Sequence, residues 1–224
     1  MKTTFKLLAA ASCIGLLSGC VTPPKPFDYT EYKLSQPQSI LVLPPLNKTP
    51  EVRATYSMFA QVTQPLAESG YYVMPVSLVD ETLKENGIPD AALAHNLPPV
   101  KLREIFGADA VLYITMTRYG TVYQVLDSVT VVTAEARLVD LKTNKVLWTG
   151  TASASSAEQQ NQQQGGLAGI LIAAIVKQIA GTVSDRSHPM AGATSQRLLK
   201  AGRPNGLLYG PRSPLFNKEP TPAR

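Results

Sequence analysis

The sequence predicts one α/β domain built on a mixed parallel and antiparallel sheet, and two stretches of the chain lead to this fold class. Residues 108–156 contain three β-rich runs in succession, which is typical of a sheet centre with antiparallel neighbours. Upstream, a strand, a helix and a second strand follow one another between residues 39 and 76. This order implies a right-handed crossover with parallel pairing. The predicted order of elements over residues 39–156 is therefore βα-β-αα-βββ, with helices packed against the sheet.

The residue patterns of the three runs in the sheet centre predict different degrees of solvent exposure. Ala110–Tyr119 begins almost continuously apolar, as in a strand covered on both faces. The second run alternates with a period of two, which predicts a half-exposed antiparallel strand. Its apolar side carries Val132, Ala134, Ala136 and Leu138, and its polar side carries Thr133, Glu135 and Arg137. Asp140 and Asn144 favour a hairpin turn before the third run, in which we expect Trp148 to be a core anchor.

Five shorter elements are predicted ahead of these runs. They are a strand over Ser39–Leu43, a helix over residues 56–66, a strand over Tyr71–Val76, a helix over Ser77–Asn86 and a helix over Pro99–Phe106. Pro65 falls inside the first helical pattern, where an interior proline costs about 3 kcal/mol, so we expect a kink or break there. Ser77 and Asp80 favour a capping box at the start of the second helix. Pro99 and Gly107 are typical of the start and end of the third.

The segment after the sheet continues the same domain, with a polar link and C-terminal helices over residues 157–202 and an irregular, frayed tail rich in Pro and Gly over residues 203–224. Leu167–Ala180 is the most apolar helix candidate, but it is shorter than the roughly twenty residues that a bilayer span needs. It suits a helix buried on the sheet, a helix that contacts a partner or a second copy, or a membrane-inserted element. Its candidate contact residues are Leu167, Ile170, Leu171 and Ile175. A last helix is predicted over Thr194–Lys200.

The N-terminal residues 1–19 have the layout of an export signal. Basic Lys2 and Lys6 precede an apolar run that ends at Leu17, and small residues follow. The junction Leu17-Ser18-Gly19-Cys20 resembles the lipobox of bacterial lipoproteins, in which the signal is cut before the cysteine and the cysteine is acylated. The sequence therefore predicts removal of residues 1–19 and a lipid anchor on Cys20.

Two further expectations follow from the anchor. An Asp directly after the lipidated cysteine resembles an inner-membrane retention signal. The residue at this position is Val21, which favours the outer membrane. The prolines among residues 20–38 predict an extended, flexible tether between the lipid and the sheet domain at residues 39–156. The protein is thus expected to be held by acyl chains, with its domain facing the periplasm.

The cysteines, histidines and acidic residues of the sequence predict no catalytic, cofactor or metal site. Cys13 leaves with the signal and Cys20 carries lipid, so no thiol remains for a disulfide, a metal or a nucleophile. His95 and His188 lack a nearby cysteine or paired acid at ligand spacing. The acids Asp109, Asp127 and Asp140 lie near predicted strand ends, where turn capping is their ordinary role. The formal charge of +5 falls to +3 once Lys2 and Lys6 are lost, which gives no argument for nucleic acid.

Several segments, in order, resemble a proteobacterial lipoprotein family whose best-known members are meningococcal surface-vaccine candidates. They are residues 40–47 (ILVLPPLN), 69–73 (SGYYV), 105–114 (IFGADAVLYI) and 136–140 (ARLVD), followed by Leu147-Trp148. More distantly, the chain is similar to the curli-secretion lipoprotein superfamily. That superfamily shares an α/β fold with the N-terminal domain of the Tol propeller protein and with an outer-membrane lipoprotein that activates peptidoglycan synthases. The resemblance implies an outer-membrane-anchored periplasmic domain and no catalytic residues.

The leading hypothesis from the sequence is a non-enzymatic lipoprotein that works by protein contact, as an accessory or assembly component of an envelope transport or secretion complex. Expected partners are the outer-membrane lipid, envelope proteins such as a curli-secretion-like lipoprotein, or further copies of the chain. The alternatives are a self-oligomerising secretion-channel subunit and, behind it, a periplasmic ligand-binding protein or enzyme. Fold alone cannot choose among them, because one architecture hosts many functions.

Overall fold

A six-stranded mixed sheet organises the fold. The computed structural model describes residues 27–123, 128–158 and 186–218. Within them the strands are β1 Ser39–Val42, β2 Leu46–Asn47, β3 Tyr72–Val73, β4 Ala110–Tyr123, β5 Ser128–Asp140 and β6 Val146–Ser155. The helices are α1 Thr30–Ser35, α2 Ala54–Phe59, α3 Thr63–Glu68, α4 Val76–Glu85, α5 Ala91–His95, α6 Pro99–Phe106 and α7 Ser187–Leu199.

The strands lie in the order β3-β1-β4-β5-β6, and β2 pairs with β4 beyond the break at Pro44-Pro45. β1 is parallel to both β3 and β4, whereas β4, β5 and β6 form an antiparallel meander. The parallel β1–β3 pair and the antiparallel β4–β5–β6 meander have the sense that the sequence predicts. The mixed sheet and the C-terminal helix are confirmed.

The sheet buries an apolar cluster on each face. Because side chains alternate along a strand, Ile40 and Leu112 pack on one face with α1, α2, α3 and α7. Leu41 and Val111 pack on the other face, under α4, α5 and α6. The apolar side of β5 lies wholly in the first cluster, as its period-two pattern predicts.

Two predictions at the C-terminal end of the sheet are confirmed in detail. The β5–β6 turn holds Asn144 in a left-handed conformation, with φ 59°. Trp148 is buried, and its indole N–H donates to the carbonyl oxygen of Asn205 at 2.9 Å. Its ring lies over Gly150, where an added Cβ would meet the ring at 2.2 Å. The absence of a side chain at Gly150 therefore leaves the space that the Trp148 ring occupies.

The prediction of a kink at Pro65 is wrong in position. The helical pattern does break, but between α2 and α3, and Pro65 is the third residue of α3. An N–H in the first turn of a helix has no partner within that helix, so proline costs little there. The capping box at Ser77 is also wrong, because α4 already begins at Val76 and its N-cap residue is Pro75, with no side-chain cap bond.

The expected flexible tether differs from the structure over residues 27–38, because residues 30–35 form α1. Tyr32 from this helix is buried, and its hydroxyl bonds that of Tyr71 at 2.7 Å. The prolines and polar residues of this segment predict a flexible chain, but burial of the Tyr32 ring stabilises the helix.

The C-terminal tail is irregular, as predicted, but it is packed on the domain at least as far as Gly210. Leu207 is fully buried, and Gly210 donates its N–H to the Ser69 carbonyl at 2.9 Å. Gly70, with φ +96°, and Gly210 approach so closely that a Cβ on Gly210 would lie 2.5 Å from the Gly70 oxygen. The glycines of the tail predict a frayed end, but Gly210 instead permits a close contact between two backbone segments.

Other differences concern the length and number of elements. α7 starts at Ser187, seven residues before the predicted start, and β3 has only two residues. The short elements α1, β2 and α5 were not predicted. Such short pieces carry too few residues for a periodic pattern to emerge, and tertiary contacts define them.

Candidate interaction site on the open face of the sheet

The predicted lipidation and partner-contact residues lie outside the described part of the chain. Cys20 and the preceding Leu17, Ser18 and Gly19 belong to one such stretch, and Leu167, Ile170, Leu171 and Ile175 belong to another. These assignments stay predictions, and the candidate site is built from described residues.

A polar groove lies on the same face of the sheet as α4, α5 and α6, next to these helices. It is an open concavity of about 560 Å³. The strand register arranges its side chains in two rows across β4, β5 and β6. The first row is Tyr113, Arg137 and Thr149, and the second is Thr115, Glu135 and Thr151. Side chains directly opposite one another on paired strands are close enough to interact, so the groove presents adjacent hydroxyl, carboxylate and guanidinium groups.

Tyr113 forms the boundary between the groove and the buried core. The Arg137 guanidinium carbon lies 4.8 Å from the centre of the Tyr113 ring, in a cation–π contact. The His95 ring meets Tyr113 edge-on, with 5.3 Å between ring centres. Burial raises the pKa of the Tyr113 hydroxyl, although the Arg137 charge opposes that shift. The phenol therefore stays protonated and is a hydrogen-bond donor at neutral pH.

His95 reaches the groove from α5 and is held by main chain from a different segment. Its Nε2 lies 3.0 Å from the Pro44 carbonyl oxygen, and since a carbonyl only accepts, Nε2 carries the proton. Burial lowers the pKa of His95, the bond to Pro44 opposes that shift, and the Arg137 charge adds to it. His95 is thus favoured as the neutral tautomer, with Nδ1 as the acceptor.

The groove can hydrogen-bond and pair charges. The described residues that line it are His95, Tyr113, Thr115, Glu135, Ala136, Arg137, Thr149, Gly150 and Thr151. Glu135 and Arg137 are exposed and present opposite charges two residues apart. These groups can make hydrogen bonds and charge-complementary contacts with another molecule.

β6 is an edge strand, because among the described residues it pairs with β5 alone. α1 lies near its start, where Glu31 and Lys145 form an ion pair at 3.6 Å. Near its end, Arg197 donates to the Ser153 carbonyl at 2.6 Å. The stretch between these contacts borders the polar groove, and among the described residues no second strand pairs with it.

Of the described acids at strand ends, Asp140 caps its turn as predicted, whereas Asp109 instead ties the start of β4 to the start of β1. The Asp109 carboxylate accepts from the N–H groups of Gln38 and Ser39 and from the Ser39 hydroxyl. Asp140 accepts from Lys142 and Thr143 in the hairpin and from the Ser35 hydroxyl. Burial raises the pKa of Asp140, but these hydrogen bonds together hold it below its ordinary value. Asp127 lies outside the described residues.

Sequence reasoning missed a polar network between α2, α7 and β4. The Tyr119 hydroxyl donates to Ser57 Oγ at 2.7 Å, and Ser57 Oγ lies 2.9 Å from His188 Nδ1. Gln61 Nε2 lies 2.8 Å from His188 Nε2. These residues come from three separate stretches of sequence, so no local pattern indicates the network. It fixes the start of α7 on α2.

Two properties of the described residues bear on the function. No group of three or more His, Cys, Asp or Glu side chains there could hold a metal ion. Within the same residues, every helix falls short of the length and hydropathy that a bilayer span requires.

Comparisons with known proteins agree with one another. The family model described as "Putative lipoprotein GNA1162-like" matches residues 27–212. The chain is 48% identical over 207 residues to "Putative lipoprotein NMB1124/NMB1162" of Neisseria meningitidis, which covers 92% of this chain and 95% of that one. The crystal structure of lipoprotein GNA1162 from Neisseria meningitidis is 50% identical, with a TM-score of 0.52, and covers 65% of this chain and 100% of that one. The chain therefore belongs to the GNA1162-like family of lipoproteins.

Proposed function

We propose that this protein is an outer-membrane lipoprotein that works without catalysis, as an accessory or assembly component of an envelope transport or secretion complex. In this proposal residues 1–19 are removed, Cys20 carries the acyl chains and the domain faces the periplasm. Membership in a lipoprotein family supports the anchor, together with the junction Leu17-Ser18-Gly19-Cys20. Several acyl chains make attachment stable without a spanning helix.

The polar groove, with the adjoining stretch of the β6 edge, is the observation that carries the contact role. A partner strand added at β6 would lie beside Thr149 and Thr151, where main-chain hydrogen bonds supply affinity. Arg137 and Glu135 in the next strand would then select among partners by charge complementarity. The predicted contacts Leu167, Ile170, Leu171 and Ile175 form the second half of the proposal.

Site-specific photocrosslinking in intact cells tests this role. A photoreactive amino acid replaces Thr151 in the groove, Ile170 in the apolar segment, or Glu81, which is exposed on α4, as the matched control. We expect envelope proteins to be captured from Thr151 and Ile170 in preference to Glu81, and mass spectrometry then names them. Capture of only a second copy of the chain would favour the self-oligomerising channel subunit. Equal yields from all three positions would contradict the contact role.

The anchor is tested separately by metabolic labelling. Wild-type protein should incorporate labelled palmitate and remain with the membranes after a high-salt wash, because the acyl chains hold it through the hydrophobic effect. Cys20→Ser should incorporate none and should keep its signal. Palmitate incorporation by the Cys20→Ser protein would contradict the assignment of Cys20.

A further inference from the structure

The first described residues are tied to the C-terminal tail. The Phe27 N–H donates to Asn205 Oδ1 at 3.0 Å, and the Tyr29 hydroxyl donates to the Gly206 carbonyl at 2.6 Å. The Phe27 and Tyr29 rings lie 5.1 Å apart, and buried Tyr32 follows in α1. Phe27, the first described residue, is therefore held against the tail of the folded body.

This attachment limits how far the body can lie from the lipid. Seven peptide units separate Cys20 from Phe27, and an extended chain spans at most about 3.6 Å for each. Phe27 is thus within about 25 Å of the acylated residue. The surface around Phe27 and Asn205 is the part of the body that must lie near the bilayer.

On that surface residues 27–35 carry charges of both signs, with Asp28, Glu31 and Lys33, whereas residues 200–206 carry only positive charges. Residues 186–218 contain six Lys or Arg residues and no Asp or Glu. Lys200 and Arg203 lie within five residues of Asn205, and both are exposed. Burial lowers the pKa of Arg203, and the positive charge of Arg197, which forms an ion pair with Glu158 at 2.6 Å, lowers it further. On the docked segment, Leu34 is 76% exposed next to Lys33.

We propose that the anchor-side surface, formed by residues 27–35 and 200–206, lies against the anionic phospholipid headgroups of the membrane that holds the Cys20 acyl chains. Cationic side chains near a membrane surface attract anionic lipid, and an exposed leucine can enter the boundary between headgroups and acyl chains. The proposal rests on the anchor in the proposed function. It makes the lipid and the protein surface two attachments that act together and set the orientation of the domain.

Vesicle cosedimentation tests the surface without the lipid anchor. The probe is the mature chain carrying Cys20→Ser, with vesicles of equal parts phosphatidylglycerol and phosphatidylcholine, or of phosphatidylcholine alone. We expect binding to the anionic vesicles that weakens at high salt, because screening shortens the range of the charges. Lys200→Glu with Arg203→Glu should lower the partition coefficient at least about tenfold. The matched control is Lys101→Glu with Arg103→Glu on α6, which packs on the opposite face of the sheet and should bind nearly as wild type.

Three results would overturn the inference: no preference for anionic vesicles, equal losses in both double variants that keep the wild-type unfolding midpoint, or stronger cosedimentation with peptidoglycan than with the anionic vesicles. The anchor stands or falls on other evidence. Palmitate on Cys20 without vesicle binding would defeat the surface alone, and vesicle binding without palmitate would defeat the anchor alone.

Discussion

His95 joins two parts of the protein that are far apart in sequence. From α5 it donates through Nε2 to the Pro44 carbonyl, at the break between β1 and β2, and its ring packs edge-on against Tyr113 of β4. The Pro44 oxygen follows the buried residues at the end of β1, where an unpaired carbonyl costs about 1–3 kcal/mol. His95 therefore satisfies a strand end and shapes the rim of the polar groove at once.

The lowered pKa of His95 predicts how stability changes with pH. In the unfolded chain the imidazole has its ordinary pKa of 6.5, and burial lowers this value in the folded protein. As pH falls from about 7, the unfolded chain binds a proton that the folded protein resists, so the free energy of unfolding decreases down to the folded pKa. His95→Gln, whose amide can still donate to Pro44, should remove this decrease. Urea unfolding at a series of pH values measures it.

The other histidine provides the control for that series. His188→Gln changes the network with Ser57 and Gln61 but leaves the Pro44 contact intact. Because the Pro44 contact is intact, we expect the part of the slope that His95 contributes to remain in this variant. A slope that disappears with His188 and persists without His95 would show that the assignment is wrong.

At the scale of elements, the β5–β6 hairpin depends on one left-handed residue. Asn144 has φ 59°, a conformation that asparagine tolerates and that a β-branched residue resists. Asn144→Gly should therefore change the free energy of unfolding by less than about 0.5 kcal/mol, whereas Asn144→Val should cost about 1–2 kcal/mol. Chemical denaturation of the two variants checks this, and equal costs would show that φ does not govern the turn.

The same hairpin shows what local sequence can predict. Asp140 specifies the turn through hydrogen bonds of its side chain and Asn144 through its left-handed backbone, so the hairpin follows from a few adjacent residues. Pro99 and Gly107 do the same for α6, which has the predicted bounds. Helix α1 could not be found in this way, because its stability comes from Tyr71 and residues 205–208, far along the chain.

The polar groove was predictable only in part, for a similar reason. Alternation along β5 places Glu135 and Arg137 on one face, and the structure agrees. Their neighbours Thr149 and Thr151 depend on the register between strands, and His95 depends on where α5 packs. Two residues of the groove can thus be predicted from the pattern of one strand, whereas the positions of the others depend on the tertiary structure.

For the whole molecule, the tail is expected to be part of the fold. A chain that ends at Ala201 loses buried Leu207 and the carbonyls that accept from Trp148, Tyr29 and Tyr71. At about 2 kcal/mol for the leucine and about 1 kcal/mol for each hydrogen bond, the loss is about 5 kcal/mol. That is comparable with the total stability of many domains.

Unfolding in urea, compared between three lengths of the mature chain, measures the contribution of the tail. The chain that ends at Ala201 should have a strongly lowered midpoint. One that ends at Lys218 keeps the described contacts of the tail and should resemble the complete chain. If the shortest chain were as stable as the complete one, the tail would contribute nothing to the fold.

The bonds from Phe27 and Tyr29 to residues 205 and 206 also set an order of events during biogenesis. An exported chain emerges with its amino end first, so these partners arrive about 180 residues after the groups that they must meet. Contacts between residues so distant in sequence form late. Under the proposed function, the domain can therefore close only when export is nearly finished, and until then its early strands stay open to chaperones and proteases.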